Sequence, residues 1–156
     1  MNEKILLKYA IDYLSKYDSS KNNLIDVLKR KIFRMNISGI DKNKLINLIG
    51  NIIEKLEKNN FLDDRRYSMA KILSFSRQGK SKIFIHNYLI KKGIDKNEIQ
   101  DYFNTFKINN NEWEMNAALL FAKKKNLIKS TDSYEKKLGK MARAGFNYEL
   151  CKKVLG

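Results

Sequence analysis

Proline is absent from the 156 residues, and cysteine and histidine occur once each, at Cys151 and His86. Without proline, no position loses its amide donor or meets the ring clash that breaks a helix, so helix is permitted throughout. One thiol gives no disulfide framework and no thiolate metal cluster. One histidine excludes a clustered histidine metal site, and Ser-His or Cys-His triads are not expected. His86 reads as a half-buried or surface helix residue, and Cys151 reads as core rather than nucleophile. Runs of Val and Thr with turn punctuation, the mark of strands, are missing too. No stretch approaches the roughly 20 apolar residues of a membrane span. Ile5-Leu6-Leu7 is soon interrupted by Lys8 and Asp12, so no signal peptide is expected and the protein is expected to be cytoplasmic.

What the sequence does have is positive charge. Thirty-two basic residues against 17 acidic ones give a formal net charge of +15. Such an excess favours polyanionic partners through Coulomb attraction and counterion release. Lys, Asn and Ile also dominate, as A·T-rich codons would produce, so part of the excess is equally read as solvated surface. With 43% hydrophobic and 31% charged residues, the composition is that of a folded chain.

Apolar residues recur at spacings of three and four almost throughout, which predicts nine amphipathic helices. The clearest stripe is Leu45, Ile49, Ile52 and Leu56. Others are Leu6 to Leu14, Leu24 to Leu28, Tyr67-Ala70-Leu73, Ile85-Leu89, Ile99 to Phe106, Trp113 to Phe121, Leu138-Met141-Ala142 and Cys151 to Leu155. Asp41, Asp63, Asp95, Asn111, Asp132 and Asn147 stand where a side-chain oxygen can accept from free amides at a helix start. Asp95 with Glu98, Asn111 with Glu114, and Asp132 with Glu135 have the spacing of a capping box. Gly39-Ile40-Asp41-Lys42-Asn43 returns as Gly93-Ile94-Asp95-Lys96-Asn97, and more weakly as Gly145-Phe146-Asn147. In each copy glycine can end a helix, an apolar residue can plug the turn and Asp or Asn can cap the next helix. Nine helices then fall into three units of three, at 1–62, 63–108 and 109–156.

No motif supplies catalytic equipment, so an enzyme is not expected, and no cofactor or metal is implied. Gly79-Lys80-Ser81 resembles the end of a P-loop, but Ser74 occupies the place of its first glycine and the preceding residues read as helix, not strand. Asp63-Asp64 is better explained by capping than as a catalytic pair, since adjacent residues at a helix start point apart. What remains is patterned charge. Arg77, Lys80, Lys82, Lys91, Lys92 and Lys96 gather around one helix-turn-helix. Lys123, Lys124, Lys125, Lys129, Lys136, Lys137, Lys140 and Arg143 gather in the last third. Such side chains suit phosphates or acidic protein surfaces. The aromatics are expected to line cores rather than interleave with these charges, which argues against base stacking on a single strand.

The order of motifs resembles the RecX regulatory proteins over essentially the whole chain. Phe61-Leu62-Asp63-Asp64-Arg65-Arg66-Tyr67 is similar to that family's Gly-Tyr-Leu-Asp-Asp-x-Arg-Phe signature. Ser76-Arg77-Gln78-Gly79-Lys80-Ser81 resembles Ser-Arg-x-Gly-x-Gly, and Leu89 to Ile94 resembles Leu-x-x-Lys-Gly-Ile. Tyr13-Leu14-Ser15 with Ser20 to Leu24 fits the opening helix pair. Trp113 with Ala117, Lys124-Lys125, and Arg143-Ala144-Gly145-Phe146 fit the last unit. The chain departs from the pattern at Asn60, Ser81, Phe84, Tyr88 and Asn23. Asn60 and Ser81 stand for glycines, and Phe84 replaces a basic Arg, which weakens a phosphate contact on that helix face.

The resemblance implies an all-α fold of three tandem three-helix, helix-turn-helix-like repeats in an elongated, curved, right-to-left array. It implies a modulator of the RecA recombinase in homologous recombination, DNA repair and the SOS response. Such proteins bind in the groove of the RecA–single-stranded DNA filament, inhibit ATP hydrolysis and strand exchange, and limit filament growth. Some also bind DNA directly, so single-stranded DNA, and with it double-stranded DNA, are implied partners of a monomer. The residues expected to carry binding are Arg77, Lys80, Lys82, Lys91 and Lys92, then Lys124, Lys125 and Arg143. The signature residues Leu62, Asp63, Asp64, Arg66, Tyr67, Gly93, Trp113 and Gly145 are expected to be mainly structural, with Arg66 pairing a neighbouring carboxylate. The alternative, resting on charge alone, is a stand-alone basic DNA-binding protein of helix-turn-helix type.

Overall fold

The structure is a computed structural model that describes residues 3–156. Among them are nine helices and no strand. They are α1 (Glu3–Lys16), α2 (Lys21–Arg34), α3 (Gly39–Lys58), α4 (Asp64–Arg77), α5 (Lys82–Lys91), α6 (Lys96–Asn109), α7 (Trp113–Lys124), α8 (Tyr134–Arg143) and α9 (Tyr148–Leu155). The all-helical expectation holds. Among the described residues no helix is long and apolar enough to cross a membrane.

The chain forms two compact units. The first holds the residues up to Tyr67 together with Lys92–Ile94; the second holds Ser68–Lys91 and Asp95–Gly156. In the first, α1, α2 and α3 pack on one another. Leu6 and Ala10 of α1, Leu24, Val27, Leu28 and Ile32 of α2, and Leu45, Ile49, Ile52, Ile53 and Leu56 of α3 form its core. Each fully buried leucine or isoleucine contributes about 1.5–3 kcal/mol relative to exposure. In the second unit α7, α8 and α9 pack mutually and α5 lies on α6. Trp113 stacks on Phe103, with ring centroids 5.8 Å apart and an interplanar angle of 4°. Phe106 meets the same indole edge-on at 5.7 Å, which ties α6 to the start of α7.

Two of the expected apolar stripes are displaced. In α4 the buried face carries Tyr67, Ser68 and Ile72, while Ala70 is exposed and Leu73 half-buried. Apolar residues surround that helix, so spacing alone does not select the inward face. In α8 only Met141 is buried, and Ala142 faces solvent.

The caps divide similarly. Asp63, Asp95 and Asn147 accept from amides of α4, α6 and α9 as expected. Asp41 and Asp132 do not cap: Ser38 caps α3 and Ser133 caps α8. Asn111 is not the cap of α7 either; Glu112 stands there without a side-chain bond. The Glu98 carboxylate accepts the Tyr102 hydroxyl (3.3 Å), one turn further into its own helix.

The Gly39 copy of the repeated turn is also corrected. Gly39 opens α3, and Ile40 is 72% exposed rather than plugging a turn. Its predecessor α2 has already ended at Met35, whose backbone is extended, so no helix is left for Gly39 to terminate. Along α1–α3 the left-handed residue that ends a helix is Asn60 (φ 61°). The Phe61 amide reaches back to the Leu56 carbonyl (2.9 Å) and the Asn60 amide to that of Glu57 (3.1 Å), the pairing of a Schellman turn.

Candidate functional site

Gly93 (φ +81°) and Gly145 (φ +99°) are the two copies of the repeated turn that adopt the left-handed conformation. Both turns are gripped in the same way. Ser20, the cap of α2, accepts from the Asn23 amide (3.2 Å) and donates to the Lys92 carbonyl (2.6 Å). Ser81, at the start of α5, accepts from the Phe84 amide (3.2 Å) and donates to the Ala144 carbonyl (2.7 Å). Each serine therefore caps one helix and fastens the carbonyl just before a left-handed glycine. Both hydroxyls belong to buried residues, where an unpaired polar group is costly. The contact leaves no room for a side chain: a Cβ on Gly145 would lie 2.5 Å from Ser81 Oγ, and one on Gly93 would lie 2.8 Å from Asn22 Cγ. Ser81, which replaces a glycine of the RecX pattern, is thus a structural clamp.

The signature around Leu62 likewise makes contacts within the fold. Leu62 and Tyr67 are buried. Asp64 Oδ1 accepts from the Lys21 amide (2.7 Å), placing a carboxylate at the N-terminus of α2 where its charge is favoured. Arg66 donates to the Asn60 carbonyl (3.1 Å), rather than to the expected carboxylate, and so closes the α3–α4 turn.

The basic residues are spread over several places. Arg77 ends α4, exposed, beside a cavity of about 220 Å³ lined by Trp113, Asn110 and Asn116. Lys82 places its ammonium 5.3 Å from the Phe103 ring centroid. Lys91 is exposed at the end of α5, while Lys92 is half-buried. Arg143 is exposed at the end of α8, with a guanidinium nitrogen close to Gly139.

Three of the singled-out lysines converge. Lys80, Lys124 and Lys125 line one cavity of about 370 Å³ with Gln78, Phe84 and Phe121. Its construction starts at Gly79, where a Cβ would lie 3.2 Å from the Phe121 amide nitrogen and 3.3 Å from the Ala117 carbonyl oxygen. Glycine there lets the α4–α5 turn press against the α7 backbone. Lys124 Nζ then donates to the Gln78 carbonyl (3.1 Å), and the clamped Ser81 and Ala144 complete the wall. No carboxylate is among the lining residues.

Phe84 overturns the expectation that aromatics stay apart from the charges. It is 41% exposed, and the Lys80 ammonium lies 4.8 Å from its ring centroid. Phe75 holds the ring edge-on at 5.5 Å. In the sequence Phe84 stands in place of an arginine; only folding brings it beside Lys124 and Lys125.

Elsewhere the titratable groups have local explanations. The Ser130 hydroxyl group, aided by Lys136 and Lys140, lowers the Asp132 carboxyl below the ordinary aspartate range. Burial raises the Cys151 thiol, which keeps it protonated in the core. No cluster of three or more His, Cys, Asp or Glu suited to a metal occurs among the described residues.

No family model matches the chain. It is 27% identical over 154 residues to the regulatory protein RecX of Myxococcus xanthus (strain DK1622), an alignment spanning 94% of this chain and 81% of that protein. The crystal structure of RecX from Lactobacillus salivarius superposes with a TM-score of 0.73 at 22% identity, covering 98% of this chain and 94% of that one. A second crystal structure, of a regulatory protein RecX, gives a TM-score of 0.74 at 18% identity over 97% of this chain and 70% of that one. The resemblance read from the ordered motifs therefore holds at both levels: the chain is RecX-like in sequence along nearly its whole length, and it has the RecX fold.

Proposed function

We propose that the protein is a negative regulator of the RecA recombinase. In this reading it binds as a monomer, in the cytoplasm, in the groove of the RecA–single-stranded DNA filament. There it restrains ATP hydrolysis, strand exchange and filament growth. The observation that carries the reading is the similarity to a RecX over 94% of the chain. The division into three-helix units at 1–62, 63–108 and 109–156, and the use of Arg77, Lys80, Lys82, Lys91, Lys92, Lys124, Lys125 and Arg143 for contact, are parts of the same proposal. Basic side chains at helix ends suit a nucleoprotein surface, where phosphates and acidic protein groups are both available.

The test is the single-strand-dependent ATPase of RecA titrated with this protein. Substoichiometric amounts are expected to inhibit it, and Lys91→Glu with Lys92→Glu to weaken inhibition by at least tenfold. Full ATPase activity with filaments intact by microscopy would overturn the inhibitory role. A stand-alone DNA-binding protein predicts instead specific duplex binding without RecA; equal affinity for any duplex, lost at physiological salt, would leave that alternative without support.

A further inference from the structure

We propose that the cavity of Phe84, Phe121, Lys80, Lys124 and Lys125 is a binding site for a nucleoside phosphate. Its base would lie against the phenylalanine wall and its phosphate among the ammonium groups. The volume of about 370 Å³ falls in the range of about 300–1,000 Å³ that holds one small ligand. The lining divides into the two chemistries such a ligand carries. Phe84 and Phe121 provide an apolar aromatic surface, and the three lysines provide positive charge with no acid among the lining residues.

A purely anionic ligand would make no use of the exposed phenylalanine. A purely apolar one would strand three ammonium groups beside it. A base joined to a phosphate uses both. The Lys80 ammonium lies 4.8 Å from the Phe84 ring centroid, so charge and ring stand side by side at the cavity. Lys124, whose ammonium donates to the Gln78 carbonyl, lines the same cavity. Ser81 and Ala144, two further lining residues, are joined by the Ser81 hydroxyl donating to the Ala144 carbonyl.

The same chemistry reaches the cavity from two sources, a nucleotide unit of a single strand or a free nucleotide. The site rests on three of the contact lysines of the proposed function, but it is assayed on the purified protein without recombinase, so its failure and that of the RecA reading are distinguishable. The probes are a labelled oligothymidylate, an abasic strand of the same length and thymidine monophosphate. Anisotropy is expected to give tighter binding of oligothymidylate than of the abasic strand. Phe84→Leu should cost about fivefold or more on oligothymidylate and leave the abasic strand unaffected, since one stacked base is worth about 1–3 kcal/mol.

Lys124→Gln with Lys125→Gln should weaken both strands and lower the log–log salt slope by about 0.7, the value of one phosphate contact on a single strand. Lys152→Gln with Lys153→Gln, equal in charge and remote in sequence, should leave the preference for bases intact. Displacement by thymidine monophosphate alone identifies a free nucleotide as the ligand; retention of the strand identifies a strand unit. Amide shifts at Gly79, Lys80, Ser81 and Lys125 of the unaltered protein on adding each probe provide a readout that needs no variant. Equal affinity for abasic and base-bearing strands, or no shifts at those amides with any probe, would overturn the site.

Discussion

Asn60 and Gly93 occupy the same left-handed region of the backbone, at φ 61° and +81°, for different reasons. Asn60 has open surroundings and tolerates the conformation through its short polar side chain. Asn60→Gly should therefore be neutral or stabilise by up to about 1 kcal/mol, while Asn60→Val should cost about 1–3 kcal/mol in urea unfolding. Gly93 has both the φ requirement and Asn22 against it. Gly93→Ala should cost about 1–3 kcal/mol through strain, and adding Asn22→Ala should restore only part of the loss. These two glycine turns, at Gly93 and Gly145, were legible in the sequence, because glycine, an apolar plug and a cap follow a helical stripe. Gly39 carries the same letters and failed, since the helix before it had already ended. Asp132 belongs to the same scale. Its folded-state carboxyl titrates below the unfolded one, so its contribution is present above the unfolded value and is lost as pH falls through the folded one. An NMR titration should place its midpoint below that of an ordinary aspartate, and Ser130→Ala should raise it.

At the scale of helices, Ser20 and Ser81 matter more than their size suggests. Each caps a helix and holds a distant carbonyl, so removing one hydroxyl leaves a free amide and a carbonyl that has lost its donor. Ser81→Ala should cost about 1–3 kcal/mol, combining a lost cap with an unmade buried bond. For a chain of this length that lowers the thermal midpoint by about 2–4 °C per kcal/mol, which calorimetry can check. Ser20→Ala should behave alike, and Ser81→Thr should retain most of the stability. The number of helices and most of their inward faces could be read from spacing, because α2, α3 and α6 each bury one clean stripe. The faces of α4 and α8 could not. In α4 apolar residues lie on every side, and in α8 a single Met141 is all that is buried.

For the molecule as a whole, the net charge of +15 is a field rather than a site. Any binding to nucleic acid should weaken steeply between low and physiological salt, and a rise in ionic strength should slow association before it alters specificity. The field was legible from composition. The cavity was not, because its lining is drawn from Gln78–Ser81, Phe84, Phe121–Lys125 and Ala144, which no local pattern connects. That dispersal has a consequence for synthesis. A ribosome delivers Lys80, Phe84, Lys124 and Lys125 well before it delivers Ala144, the residue to which Ser81 is fastened. A nascent chain stalled just beyond Lys125 carries Lys80, Phe84, Phe121, Lys124 and Lys125 and yet lacks Ala144 from the wall. Ligand capture is therefore expected only once Ala144, at the α8–α9 corner, has emerged and folded against Ser81.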